Sequence, residues 1–342
     1  MNDKALENTP TEQGFDFTLI DNPKPNENFG LFKVKPANDW IDEAKNWPIP
    51  RMLFDCLWYE GELCILFADT NVGKSILAVQ IADAISNGHP IPHFRLETSQ
   101  QLVIYLDFEL SDKQFEARYS DNYTNHYRFS QNMLRVEIDP DASIDDNLTF
   151  EECIAASLAR TIAETGAKVL IVDNLTYLRE GTEKAKDALP LMKELKALKN
   201  RHGLSILALA HTPKRVLSNP LTRNDLQGSK MLINFCDSAF AIGESYRDKR
   251  LRYIKQIKQR NCESVYDSNN VIVCEIVKPA NFLHFSFVGR AKESDHLRDF
   301  NDDERGNLIE QAKQLRDGGL SQREIADRLK VSVGTINNYL KS

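Results

Sequence analysis

The feature that most narrows what this chain can fold into is one junction, Glu62-Leu-Cys-Ile-Leu-Phe67 running into Ala68-Asp-Thr-Asn-Val-Gly-Lys-Ser75. A short apolar run bounded by polar residues reads as a strand buried on both faces. Beyond the loop, apolar residues continue at helical spacing from Lys74 to Ser86 and stop before Gly88. Strand, loop and helix therefore meet at Gly73, where the first amides of the helix have no partners of their own. N–H groups gathered at the positive end of a helix make a cradle for phosphate. Lys74 adds a point charge for the outer phosphates, and Ser75 supplies a hydroxyl for a divalent cation. The reading assigns Asp69, Thr70, Asn71, Val72, Gly73, Lys74, Ser75 and Ile76 to the nucleotide, with ATP and Mg2+ as the expected ligands.

This is the Walker A pattern, with Ala68 in place of its first glycine. A methyl group is tolerated there if the backbone stays in the ordinary region. Around it, apolar runs alternate with amphipathic segments. Strands are expected at 62–67, 102–107, 134–138, 169–173 and 204–210, and helices at 74–86, 112–120, 150–164 and 188–201. Buried strands separated by helices predict a parallel sheet built from βαβ units. After His211 the rhythm changes to β-type runs at 238–242, 251–257, 271–277 and 283–288, which read as antiparallel strands extending the sheet edge.

The run Lys168-Val-Leu-Ile-Val-Asp173 is an apolar strand ending in an acid, and Asp173 is expected to hold Mg2+ with Ser75. Val103-Ile-Tyr-Leu-Asp107-Phe-Glu109-Leu-Ser111 resembles the strand end of DnaB-type hexameric helicases and plasmid RepA-type ATPases. The resemblance implies that Glu109 orients and deprotonates the attacking water; Asp107, two residues upstream and on the same strand face by period, is the alternative base. His211, at the end of Leu207-Ala-Leu-Ala-His211, matches the RecA-like position that senses the γ-phosphate. Lys258 and Arg260 resemble the Lys-x-Arg of DnaB-type helicases, whose two residues reach the ATP of a neighbouring subunit. Read as two apart on one strand, they would point the same way.

The order of elements over roughly residues 50–290 is RecA-like, so the expected fold is α/β: a P-loop NTPase core with a mostly parallel sheet and antiparallel edge strands. The family implies a homo-oligomer, a hexamer in the DnaB-type group, with single-stranded DNA in the ring channel. The loops 176–187 and 212–227 would face that channel, and Lys214, Arg215 and Arg223 are candidates for phosphate contact.

At the C-terminus, Ser321-Gln-Arg-Glu-Ile-Ala-Asp-Arg-Leu-Lys330-Val-Ser332-Val-Gly-Thr-Ile-Asn-Asn-Tyr-Leu340 resembles the helix-turn-helix of resolvases and response regulators. Ser321 and Glu324 form a capping box, and Ser332 caps the second helix. Ile325, Ala326, Leu329, Val331, Ile336 and Leu340 would form a small core. Val333, Thr335, Asn337, Asn338 and Lys341 would meet a major groove of duplex DNA. Lys330 stands where that family usually has glycine in the turn.

The expected division is a disordered tail at 1–30, an ATPase domain at 31–290, a charged linker at 291–301 and a helix-turn-helix domain at 302–342. Trp40, Trp47 and Trp58 are read as an irregular collar packed on the core. The net charge of −7 excludes a chain that binds nucleic acid through bulk charge, leaving local patches. Six cysteines without a CxxC pair read as buried thiols of a reducing compartment. No apolar stretch approaches the ~20 residues of a membrane span, and the polar N-terminus does not read as a signal peptide, so a cytoplasmic protein without membrane contact is expected.

Two functions fit these residues. One is a Mg-dependent ATPase acting on DNA, a RepA/DnaB-like helicase or remodelling motor in replication or recombination of a mobile element. The other is a KaiC-like regulatory ATPase whose nucleotide state gates the helix-turn-helix as a transcription regulator.

Overall fold

The computed structural model describes residues 27–29, 32–142, 147–175, 188–212, 217–226, 229–298 and 300–341. Residues 1–49 and 50–342 are two compact units. In the first, β1 (Glu27–Phe29) and β2 (Phe32–Val34) pair antiparallel before α1 (Ala37–Ala44). Lys35 pairs with Glu43, and its ammonium lies 5.0 Å from the Trp40 ring centroid. Trp47 is 64% exposed, and Trp58 is fully buried in the second unit.

The second unit opens with the small ribbon of β3 (Met52–Phe54) and β4 (Trp58–Tyr59). Next come β5 (Leu63–Ala68), α2 (Lys74–Asn87), β6 (Val103–Asp107) and α3 (Asp112–Arg118). A two-stranded ribbon, β7 (Ser120–Asp121) with β8 (Asn125–His126), precedes β9 (Met133–Val136). Then follow α4 (Phe150–Thr165), β10 (Val169–Asp173), α5 (Ala188–His202), β11 (Ser205–His211), α6 (Ser229–Phe235) and β12 (Ser238–Glu244). Last in the sheet are β13 (Leu251–Lys258), β14 (Val271–Val277) and β15 (His284–Ala291).

Nine strands form one sheet in the order β15-β14-β13-β12-β5-β11-β10-β6-β9. The six from β12 to β9 run parallel, and the rest are antiparallel. Strand β12 corrects the sequence reading, which took 238–242 as antiparallel: it lies parallel to β5. The short helix α6 supplies the crossover that a parallel neighbour requires. The fold is thus α/β with a large, mostly parallel sheet and an antiparallel extension.

Helix α2 is buried on every side, from Lys74 and Leu77 round to Ser86, because it packs against β6 and β15, which are far apart in the sheet order. The turn between β14 and β15 reaches over to α3, where Lys278 Nζ donates to Ala117 O (2.7 Å) and the Leu283 amide to Arg118 O (3.2 Å).

Within 291–301, Glu293–His296 form a 3-10 turn, and Glu293 is only 1% exposed. Its carboxylate accepts from Lys255 Nζ (2.5 Å) and the Leu221 amide (2.6 Å), while Lys255 also donates to Leu221 O (2.7 Å). Removing one partner of a buried ion pair leaves an uncompensated charge. Lys255→Met is therefore expected to cost about 3–5 kcal/mol, read as a lower urea midpoint at unchanged slope.

The C-terminal helices α7 (Phe300–Asp317), α8 (Gln322–Leu329) and α9 (Val333–Tyr339) gather around a core of Ala312, Ile325, Ala326, Ile336 and Tyr339. Leu329, Val331 and Leu340 pack against it. Ala312 and Tyr339 were absent from the expected core. The Ser321–Glu324 capping box is formed, and Ser332 accepts from the Thr335 amide (3.1 Å). Lys330 takes φ +55°, the left-handed turn conformation that glycine serves elsewhere.

Candidate nucleotide site and DNA-binding module

Strand β5 delivers the loop 69–73 to the N-terminus of α2, where Gly73 adopts φ +107°. A Cβ there would sit 2.7 Å from Ile276 Cδ1 and 3.0 Å from Phe285; the backbone angle demands glycine, and a side chain would also press on both neighbours. Ala68, by contrast, is the last residue of β5 and is absent from the positive-φ positions among the described residues. Its methyl group fits without strain.

Lys74 is 7% exposed, and its ammonium donates to Ala68 O and Asp69 O, both at 3.0 Å. Burial pushes its pKa down, against the pull of Asp173, Glu109 and Asp69. The same ammonium donates to His211 Nδ1 (3.2 Å). On its other side, His211 Nε2 lies 3.6 Å from Glu109 Oε1. The Asn174 amide also donates to Glu109 Oε1 and lies 3.1 Å from His211 Nε2. The Asn174 amide and the His211 ring thus both crowd one carboxylate. The His211 hydrogen bond, with help from the Lys74 and Arg118 charges, holds Glu109 below its ordinary pKa despite partial burial. An ionised, part-exposed carboxylate of this kind can accept a proton from water.

Asp107 is differently placed. Its Oδ1 accepts the Glu109 amide (3.2 Å) and the Leu110 amide (3.0 Å), and its Oδ2 accepts Arg135 Nε (2.9 Å). At 2% exposure with both oxygens engaged, it shapes the turn that carries Glu109. The sequence reading set the two acids on one strand face; in fact β6 ends at Asp107, and Glu109 lies in the bend beyond it. Arg135 completes the clamp through Asp112 (2.7 Å) and Leu110 O (2.6 Å).

Asp173 ends β10 at 1% exposure. Tyr105 donates to its Oδ2 (2.6 Å), while Oδ1 is buried with no hydrogen-bond partner of ordinary geometry among the described residues. Burial raises the carboxyl pKa to about 6, with Tyr105 and the Ser75 hydroxyl opposing the rise. A buried, orphaned carboxylate oxygen beside a serine hydroxyl fits Mg2+, which takes few protein ligands and fills the rest with water and phosphate. Among the described residues no cluster of three or more acids, histidines or cysteines offers another metal site.

Lys258 and Arg260 lie elsewhere. Strand β13 ends at Lys258, so Arg260 falls in the turn beyond it and the two do not share a strand face. Register places Lys258 beside Ala239, which pairs with Ile65, three residues below Ala68. Its ammonium caps Ile233 O (2.5 Å) and Cys236 O (2.7 Å) at the end of α6. Arg260, 54% exposed, bonds Asp237 (3.2 Å), whose amide meets the first residue of β5. The strands thus set both cations towards the opposite end of the sheet from their own phosphate loop.

Sequence reasoning missed Asn174 and Arg118. An amide side chain directly after the strand-ending acid was the available signal for Asn174. Arg118 NH1 is buried without a hydrogen-bond partner among the described residues, and nothing local in the sequence announces that.

Of the expected DNA contacts, Lys214, Arg215 and the loop 176–187 lie outside the described residues, while Arg223 is exposed on a 3-10 turn capped by Thr222. In α9, Val333 and Asn338 are exposed, as is Lys341 just after it; Asn337 is half-buried, and the Thr335 hydroxyl is engaged with Ser332 Oγ (2.7 Å). No helix among the described residues is long and apolar enough to cross a membrane.

Comparison with known proteins agrees with this division of labour. Residues 315–342 match a winged helix-turn-helix DNA-binding family. No curated protein matches the chain. Among solved structures, the crystal structure of a KaiC-like protein from the hyperthermophilic archaeon Pyrococcus horikoshii OT3 is similar, at 14% identity and TM-score 0.45 over 67% of this chain and 91% of that one. Residues 32–216, more than half of the chain and the span holding the phosphate loop, Glu109, Asp173 and His211, match the AAA domain, and the chain belongs to that family of P-loop ATPases.

Proposed function

We propose that this protein is a Mg-dependent ATPase that acts on DNA, a motor of the DnaB/RepA type brought to its site by the C-terminal helix-turn-helix. The observation that carries the reading is the convergence of Lys74, Asp173, Glu109, Asn174 and His211 at the mouth of one phosphate loop. In it, the loop amides and Lys74 bind the phosphates, Glu109 takes the proton of the attacking water, and His211 links the two through its two ring nitrogens. Mg2+ held by Ser75 and Asp173 would offset the charge of the β- and γ-phosphates.

Arg260 is the finger for a neighbouring subunit's ATP, because Lys258 is already committed to the carbonyls of α6. This requires a closed homo-oligomer, a hexamer in the motor reading, with single-stranded DNA in the channel and Lys214, Arg215 and Arg223 against its backbone. Residues 302–342 hold seven acids and seven bases, and this neutral balance supports weak duplex binding by one copy and useful binding by a ring of copies.

A regulatory ATPase that gates the DNA module would use the same residues. Strand displacement on forked DNA, run beside duplex binding with and without ATP, separates them. Unwinding at ATP turnover is the expected result; ATP-dependent duplex binding with no displacement would replace the motor by the regulator.

A further inference from the structure

The antiparallel extension of the sheet touches the phosphate loop at two points, and one of them is charged. Arg252, in β13, donates from Nε to the carbonyl of Val72 (3.2 Å), the loop residue directly before Gly73. Its NH1 bonds Lys249 O (2.6 Å) and Leu251 O (3.0 Å), and its NH2 pairs with Glu244 (3.2 Å), its cross-strand partner on β12. The side chain is 12% exposed. Every nitrogen of this guanidinium is engaged, so it is a fixed object and not a cation awaiting a ligand.

We propose that Arg252 is a positioning residue for phosphate binding, acting through the Val72–Gly73 peptide. In a planar trans peptide the C=O and the following N–H point in opposite directions. Fastening the Val72 carbonyl to β13 therefore turns the Gly73 amide the other way, towards the mouth of the loop. Gly73 has no side chain to hold that orientation itself, and at φ +107° it has wide backbone freedom. Ile276 and Phe285 close over it from β14 and β15 and limit its travel, but they carry no directional bond. The arginine supplies the direction. The strands added beyond the parallel core thereby set the geometry of a loop that the core alone leaves soft.

This inference rests on the loop being the triphosphate site, so the test carries a control for that reading. Binding of inorganic tripolyphosphate and of Mg·ATP is measured by calorimetry for the wild type, Arg252→Met, Arg252→Lys and Lys74→Ala, each with its unliganded melting temperature. Arg252→Met keeps the aliphatic stem and loses every donor. It is expected to weaken both ligands by about tenfold, the worth of one hydrogen bond to a charged group. KM should rise with kcat little changed, and the unliganded melting temperature should stay within a few degrees of wild type. Arg252→Lys, which can still donate to Val72, should recover most of the loss. Wild-type tripolyphosphate affinity in Arg252→Met overturns the proposal, as does a fall in kcat at constant KM. Should that variant not fold, Arg252→Leu, which also loses every donor, takes its place, and unchanged affinity there overturns it equally. Undiminished binding by Lys74→Ala would instead remove the phosphate-loop reading itself, which keeps the two failures apart.

Discussion

Glu109→Gln should bind ATP as the wild type does and hydrolyse it about 10²–10⁴ times more slowly, the usual contribution of a general base. The amide keeps the size of the side chain and its place between Asn174 and His211 but cannot take a proton. Single-turnover hydrolysis measured beside equilibrium binding separates the two quantities. The competing base makes the opposite forecast. Asp107→Asn would disturb a buried carboxylate that accepts two backbone amides and Arg135, so its first effect should be on stability. Normal turnover in Glu109→Gln would end the assignment. Because its neighbours hold Glu109 below the ordinary value of 4.5, the acid limb of the kcat profile should not come from this group in the neutral range.

Lys74→Ala should lose nucleotide binding and turnover by at least about 10²-fold, as when one preorganised donor to developing charge is removed. The ammonium is desolvated in the free protein and satisfied by two loop carbonyls and His211. A cation already stripped of water gains more from a phosphate than an exposed one does. The unliganded melting temperature should therefore change little, while the rise that saturating ATP gives the wild type should vanish. A retained ATP-induced rise would contradict the assignment.

Much of this site was legible in the sequence because its parts are local. A buried strand, a turn through Gly73 and a helix starting at Lys74 are consecutive, so their chemistry follows from spacing. The capping serines at 321 and 332 were legible for the same reason: a cap and its amide are three residues apart. The left-handed Lys330 was implied by the resemblance, which places glycine at that turn position. The resemblance favoured Glu109 over Asp107, but the engagement of Asp107 by Arg135, 28 residues further along the chain, was not legible. Nor was the burial of Glu293 within a charged stretch, which depends on Lys255, 38 residues upstream.

The sequence by itself determined the order of strands and helices, the phosphate loop and the helix-turn-helix, each held by contacts within a few residues of chain. Tertiary structure alone decided that β12 runs parallel beside β5, that Lys258 is spent on the end of α6, and that Arg252 reaches the loop from 180 residues away. These depend on which strands become neighbours across the sheet. Pairing register is set by the packing of whole faces, and no short window of sequence contains it.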